Sequence, residues 1–89
     1  MKLKEYYVSP KYYSFTIEYK HGEGICSKLD DDIISVLGKK NLFETDMFMK
    51  KGIRDLTFKF LTNKHFDKLS EKVKEIIVSH KAELVNIIQ

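Results

Sequence analysis

"VSHKAELVNIIQ", residues 78–89, decides which of two related folds this chain adopts. Leu84, Ile87 and Ile88 prolong the apolar stripe of the helical stretch before them, and no Gly or Pro interrupts it. A helix from Lys64 to Gln89 would be about 37 Å long at ~1.5 Å per residue, against roughly 27 Å for an eight-residue strand. A break near Ser79–Lys81 would instead release residues 82–88 as a strand. The missing breaker favours the continuous helix and a ββαββα order; the break would give βαββαβ, the ferredoxin-like arrangement. Either ending yields an α+β two-layer sandwich, an antiparallel sheet with two helices on one face.

Upstream, residues 64–80 predict the second helix. Phe66, Leu69, Val73, Ile76, Ile77 and His80 fall on one stripe with Lys and Glu opposite, and Asn63 is placed to cap it. Before it lie two alternating stretches. Phe43, Thr45, Met47 and Met49 alternate with Glu44, Asp46, Phe48 and Lys50, and Leu56, Phe58 and Phe60 alternate with Asp55, Thr57, Lys59 and Leu61. Lys51-Gly52-Ile53-Arg54 then forms the turn of a hairpin. The first helix is expected from apolar Ile25, Leu29, Ile33, Val36 and Leu37, with Asp30-Asp31-Asp32 toward its front and Lys39-Lys40 at its end. Gly38 and Asn41 supply the stop. Tyr13, Phe15, Ile17 and Tyr19 alternate with polar residues as a strand with one buried face, and a shorter strand at Tyr6-Tyr7-Val8 ends at a turn around Pro10.

The bulk numbers bound the possibilities. Eighty-nine residues, 43% hydrophobic, make a single domain, residues 1–89, with a modest core. A single cysteine, Cys26, excludes an internal disulfide and a Cys-based zinc cage. Residues 1–30 lack the apolar core of a secretory signal and no long apolar run occurs, so the expectation is a soluble, cytoplasmic protein with no membrane partner. The net charge of +3 comes from interleaved charges, which makes a weak nucleic-acid footprint. All but one of the 16 basic residues are lysine, Arg54 being the exception. Arginine is the preferred residue for bidentate phosphate and base recognition, so its scarcity weakens that reading further.

Four stretches carry candidate chemistry. Lys50–Phe60, "KKGIRDLTFKF", resembles the central signature of RRM RNA-binding domains, whose third and fifth positions present stacking aromatics. Ile53 and Asp55 stand there in this chain, and a carboxylate offers no π-face and repels phosphate. Lys50, Lys51, Arg54 and Lys59 remain as a basic tip for nucleic acid or an acidic partner.

Gly24-Ile25-Cys26-Ser27-Lys28 resembles the phosphate cradle of acylphosphatases, which implies an anion site between first strand and first helix. That family ends the stretch with arginine where this chain has Lys28, and Gly22 and Gly24 are accounted for by the turn itself. Cys26 beside His21 could in principle be an activated nucleophile, but nothing in the sequence orients the histidine. His21, His65 and His80 are scattered and Asp30, Asp31 and Asp32 diverge around a helix, so no metal ligands, cofactor or catalytic residues are assigned.

The fourth stretch is a surface rather than a motif. The sheet face away from the helices should present Tyr12, Phe48 and Leu61 among Ser14, Thr16, Glu18, Glu44, Asp46, Thr57 and Lys59, with Tyr6 and Tyr7 adding aromatic area. The resulting expectation is a non-enzymatic regulatory or inhibitory module, of phage, mobile-element or antitoxin kind, that docks on a protein partner or on itself as a homodimer. The alternative is a nucleic-acid-binding protein: with a strand at the C-terminus, the topology is similar to the ferredoxin-like small nucleases of the Cas2 and GhoS type.

Overall fold

The computed structural model describes residues 11–22 and 25–89. The strand expected at Tyr6-Tyr7-Val8 lies outside them. Strand β1 (Tyr13–Lys20) leads to helix α1 (Ser27–Leu37) and a single 3-10 turn (Lys39–Asn41). The hairpin β2 (Leu42–Phe48) and β3 (Ile53–Phe60) follows, then helix α2 (Phe66–Ser79) and strand β4 (Glu83–Ile88). The sheet order is β2-β3-β1-β4 and every neighbouring pair is antiparallel. This is the α+β sandwich in its βαββαβ form.

The C-terminal segment therefore ends as a strand, not as the continuous helix that its stripe favours. Lys81 takes φ 58, and among the described residues it is the one non-glycine with positive φ. Lys81 N–H donates to the Val78 carbonyl at 2.9 Å and Ala82 N–H to the Ile77 carbonyl at 3.0 Å. That pair of bonds is a Schellman stop with Lys81 in the left-handed seat usually given to glycine. Ala82 packs against the core beside Ile77, and the redirected chain lets Leu84 and Ile87 cover the outer side of β1. Gln89 then closes the end through Nε2 to Ser70 Oγ on α2 at 3.1 Å. Tertiary pairing overrides a stripe that continues unbroken.

The core fills the space between sheet and helices. Phe15, Ile17 and Tyr19 of β1 and Leu56 and Phe58 of β3 meet Leu29, Ile33 and Leu37 of α1 and Phe66, Val73 and Ile77 of α2, all buried. Phe15, Phe60 and Phe66 close one end as edge-to-face pairs with centroids 5.0 to 6.5 Å apart, a geometry that adds to the area buried by each ring. Phe60 and Phe58 thus face inward, as the alternation predicts.

Local corrections follow from packing. Helix α1 starts at Ser27, which leaves Ile25 before it and exposed. Helix α2 starts at Phe66 with His65 at the cap position and no side-chain cap bond, so Asn63 contributes its backbone carbonyl, which accepts from Phe66 N–H at 3.2 Å. The hairpin turn is Met49–Gly52, with Lys51 N–H bonded to the Phe48 carbonyl and Gly52 at φ 65. A register irregularity between Leu42 and Glu44 turns Phe43 off the inward face. It is 57% exposed, and the Lys59 ammonium stands 3.7 Å from its ring centroid.

Candidate functional site

The open sheet face is assembled from alternate residues of all four strands, and the register arranges them in rungs. Residues paired across antiparallel strands share a face. One rung runs Ile88, Thr16, Thr57, Glu44, its centre joined by a 3.0 Å hydrogen bond between the two threonine hydroxyls. The next runs Asn86, Glu18, Asp55, Asp46. Three carboxylates thus stand side by side on β1, β3 and β2. Asp46 accepts from the Met47 N–H at 2.7 Å and Asp55 from the Thr57 hydroxyl at 3.2 Å. Like charges directly opposite one another destabilise a sheet, so this rung works against the fold that carries it.

The apolar candidates divide between the two ends of this face. Tyr12 (51% exposed) and Leu61 (66%) line a groove with Phe43, Lys59 and Lys40. Phe48 (42%) lines a second one, at the hairpin end, with Met49, Ile53, Lys50, Lys51 and Glu18. Tyr12, Phe48 and Leu61 therefore do not form one patch. Tyr6 and Tyr7 lie outside the described residues. Phe43 belongs to the face although simple alternation turns it inward; a bulge leaves no mark in composition.

Of the basic tip, Lys50 and Lys51 are exposed on the hairpin turn and Lys59 lies on the sheet face over Phe43. Arg54 does not join them. It pairs with Tyr19 and Met47 on the helix side of the sheet. Its Nε and Nη2 donate to one oxygen of Asp30, at 3.1 and 3.0 Å, and its Nη1 to the Asp46 carbonyl at 3.2 Å.

Nor is Asp30 a solvated helix charge: it is buried on α1, and its other oxygen accepts from the Tyr19 hydroxyl at 2.6 Å. Cys26 N–H donates to the same hydroxyl at 3.3 Å. Burial first, then the bond to the Asp30 carboxylate, push the Tyr19 hydroxyl well above its ordinary pKa of 10. Asp32 bridges to His80 at 2.7 Å, tying α1 to the end of α2. Of the aspartate run, Asp30 thus joins a buried network and Asp32 an interhelical bridge, while Asp31 is exposed.

Cys26 sits at the start of α1, half-buried, with its backbone rather than its thiol in the Tyr19 network. Among the described residues no group of three or more His, Cys, Asp or Glu is arranged to hold a metal ion, the acidic rung included. No helix among them is long and apolar enough to cross a membrane. Comparisons with protein-family models, with curated proteins and with solved structures find no match to this chain.

Proposed function

We propose that this protein is a small regulatory or inhibitory module that works by docking its open sheet face onto protein. The observation that carries the reading is the composition of that face. Exposed Tyr12, Phe43 and Leu61 occupy one end, Phe48 and Ile53 the other, and a self-repelling rung of Glu18, Asp55 and Asp46 lies between them. Large apolar side chains at the ends supply contact area, and charge in the middle supplies register and choice of partner. A nucleic-acid reading is less well supported. RNA laid across such a sheet would meet carboxylates on three strands, and the sole arginine is bound to Asp30.

The test compares capture of protein from the source cell by the wild-type chain and by Tyr12→Asp and Phe48→Asp variants that retain native circular dichroism. The expected result is that the same captured partner, a further copy of this chain included, is lost with both variants. An unchanged set of partners overturns the reading.

A further inference from the structure

The face invites a specific question: what surface would complement an acidic rung flanked by lysine and aromatic residues? Measured along β3, Lys59 and Asp55 lie two residues to either side of Thr57, at equal distances from the Thr16–Thr57 rung. Ser14 and Glu18 are placed in the same way on β1. The Thr16–Thr57 rung itself carries small side chains already hydrogen-bonded to each other.

We propose that the occupant of the open face is a second copy of this chain, packed face to face about a two-fold axis that runs across the strands along the Thr16–Thr57 rung. This rests on the open face being the docking surface. Such an axis lays Lys59 of each copy over Asp55 of the other, Ser14 over Glu18, and the Leu61 end over the Ile53 end, while Glu44, on the rung itself, meets its own copy, one like-charged pair against two opposite ones. The contact is isologous, as a two-fold requires. The other in-plane choice, an axis parallel to the strands, superposes the rung of Glu18, Asp55 and Asp46 on its own copy and is repulsive.

The spacing works. Face-packed sheets lie about 10 Å apart and cross at about 30°. Two residues from the axis, roughly 7 Å, that crossing displaces the facing residues by about 3–4 Å, within the reach of a lysine side chain. The Lys59 ammonium lies on this face, over the Phe43 ring. Four strands about 4.8 Å apart and eight residues long present roughly 500 Å² in plan, below the ~800 Å² per partner of a standard stable interface. The dimer is therefore reversible and set by concentration.

Sedimentation equilibrium of the purified chain tests this. The mean mass should rise with concentration from the 10.5 kDa of one chain toward twice that value. Lys59→Asp places carboxylate over carboxylate, and Asp55→Lys places ammonium over ammonium, so each variant alone should associate at least tenfold more weakly. An equimolar mixture of the two should regain wild-type association, because in the mixed dimer both facing pairs between positions 55 and 59 are again of opposite sign. That rescue also shows that both variants are folded. A mass of one chain at all concentrations, or two variants that stay apart when mixed, overturns the two-fold. If the dimer is absent while Tyr12→Asp and Phe48→Asp still abolish capture of a different protein, the docking face stands and its occupant is that protein.

Discussion

Arg54 places two guanidinium nitrogens on a single oxygen of Asp30, and Tyr19 holds the other oxygen. The chain's sole arginine thus fastens the front of α1 to the middle of the sheet, in a site where both side chains are nearly solvent-free.

Breaking this pair from one side should cost much more than removing both partners. Arg54→Ala leaves a buried carboxylate facing only a tyrosine, and Asp30→Ala leaves a partly buried guanidinium without its counter-ion; about 3 kcal/mol for the first and less for the second is expected. The double variant Asp30→Ala/Arg54→Ala should lose far less than the two single losses added. Arg54→Lys should resemble Arg54→Ala more than wild type, since one ammonium cannot reach both Asp30 and the Asp46 carbonyl as a fork does. Urea unfolding midpoints at constant slope measure all four. Additive losses would mean that the pair is not coupled.

Tyr19 supplies a pH dependence whose sign can be fixed. Burial and the Asp30 carboxylate raise its folded pKa above the unfolded value of 10. The unfolded chain therefore releases this proton at lower pH than the folded one does. The contribution is complete below pH 10 and lost above it, with a slope of up to about 1.4 kcal/mol per pH unit. Tyr19→Phe, although less stable near neutrality for want of its bond to Asp30, should lack this part of the alkaline decline. Denaturant midpoints for both chains between pH 8 and pH 11 test it; parallel curves would refute the raised pKa.

How much of this was legible beforehand depends on which residues are asked. Alternation over Tyr13–Tyr19 and Leu56–Phe60 identifies the inward side chains because a half-buried strand has a strict period of two. The same parity turns Arg54 inward, and an inward arginine needs an acid. Asp30, one residue past Leu29 and three before Ile33, lies inside the stripe that buries α1. Both signals are in the sequence, and joining them would have found the network. The acidic rung is different. Glu18, Asp55 and Asp46 become neighbours through strand register, which the hairpin turn sets between β2 and β3 and the long-range pairing of β1 with β3 sets for Glu18. Nor does any residue type announce the stop at Lys81, where pairing of β4 with β1 imposes a left-handed residue on a lysine.

That lysine and Gly38 should respond in opposite directions to substitution at their helix ends. Lys81→Gly removes the steric cost of the left-handed conformation and should stabilise by about 1 kcal/mol. Gly38, at φ 95, ends α1, and a Cβ there would sit 2.9 Å from Asn41 Nδ2, which is itself bonded to the Leu37 carbonyl. Gly38→Ala should therefore destabilise by about 1–2 kcal/mol. For a domain of this size those changes correspond to melting-temperature shifts of roughly 4–8 °C per kcal/mol. A lower melting temperature for Lys81→Gly would contradict the αL assignment.

The acidic rung offers the sharpest contrast between folding and docking. Asp55 stands between Glu18 and Asp46, directly paired with both, where like charges each cost a few tenths of a kcal/mol or more. Asp55→Asn keeps an acceptor for the Thr57 hydroxyl while removing the central charge. At concentrations where the chain is monomeric, this variant should be about 0.5–1 kcal/mol more stable than wild type in 10 mM salt. The gain should shrink in 1 M salt, where the screening length falls from ~30 to ~3 Å. In the proposed dimer that cost is offset, because Asp55 would face Lys59 of a second copy. The same substitution should accordingly weaken self-association while it strengthens the fold. A variant that loses stability at low salt would show that the rung is not repulsive, and would remove the electrostatic basis for the two-fold.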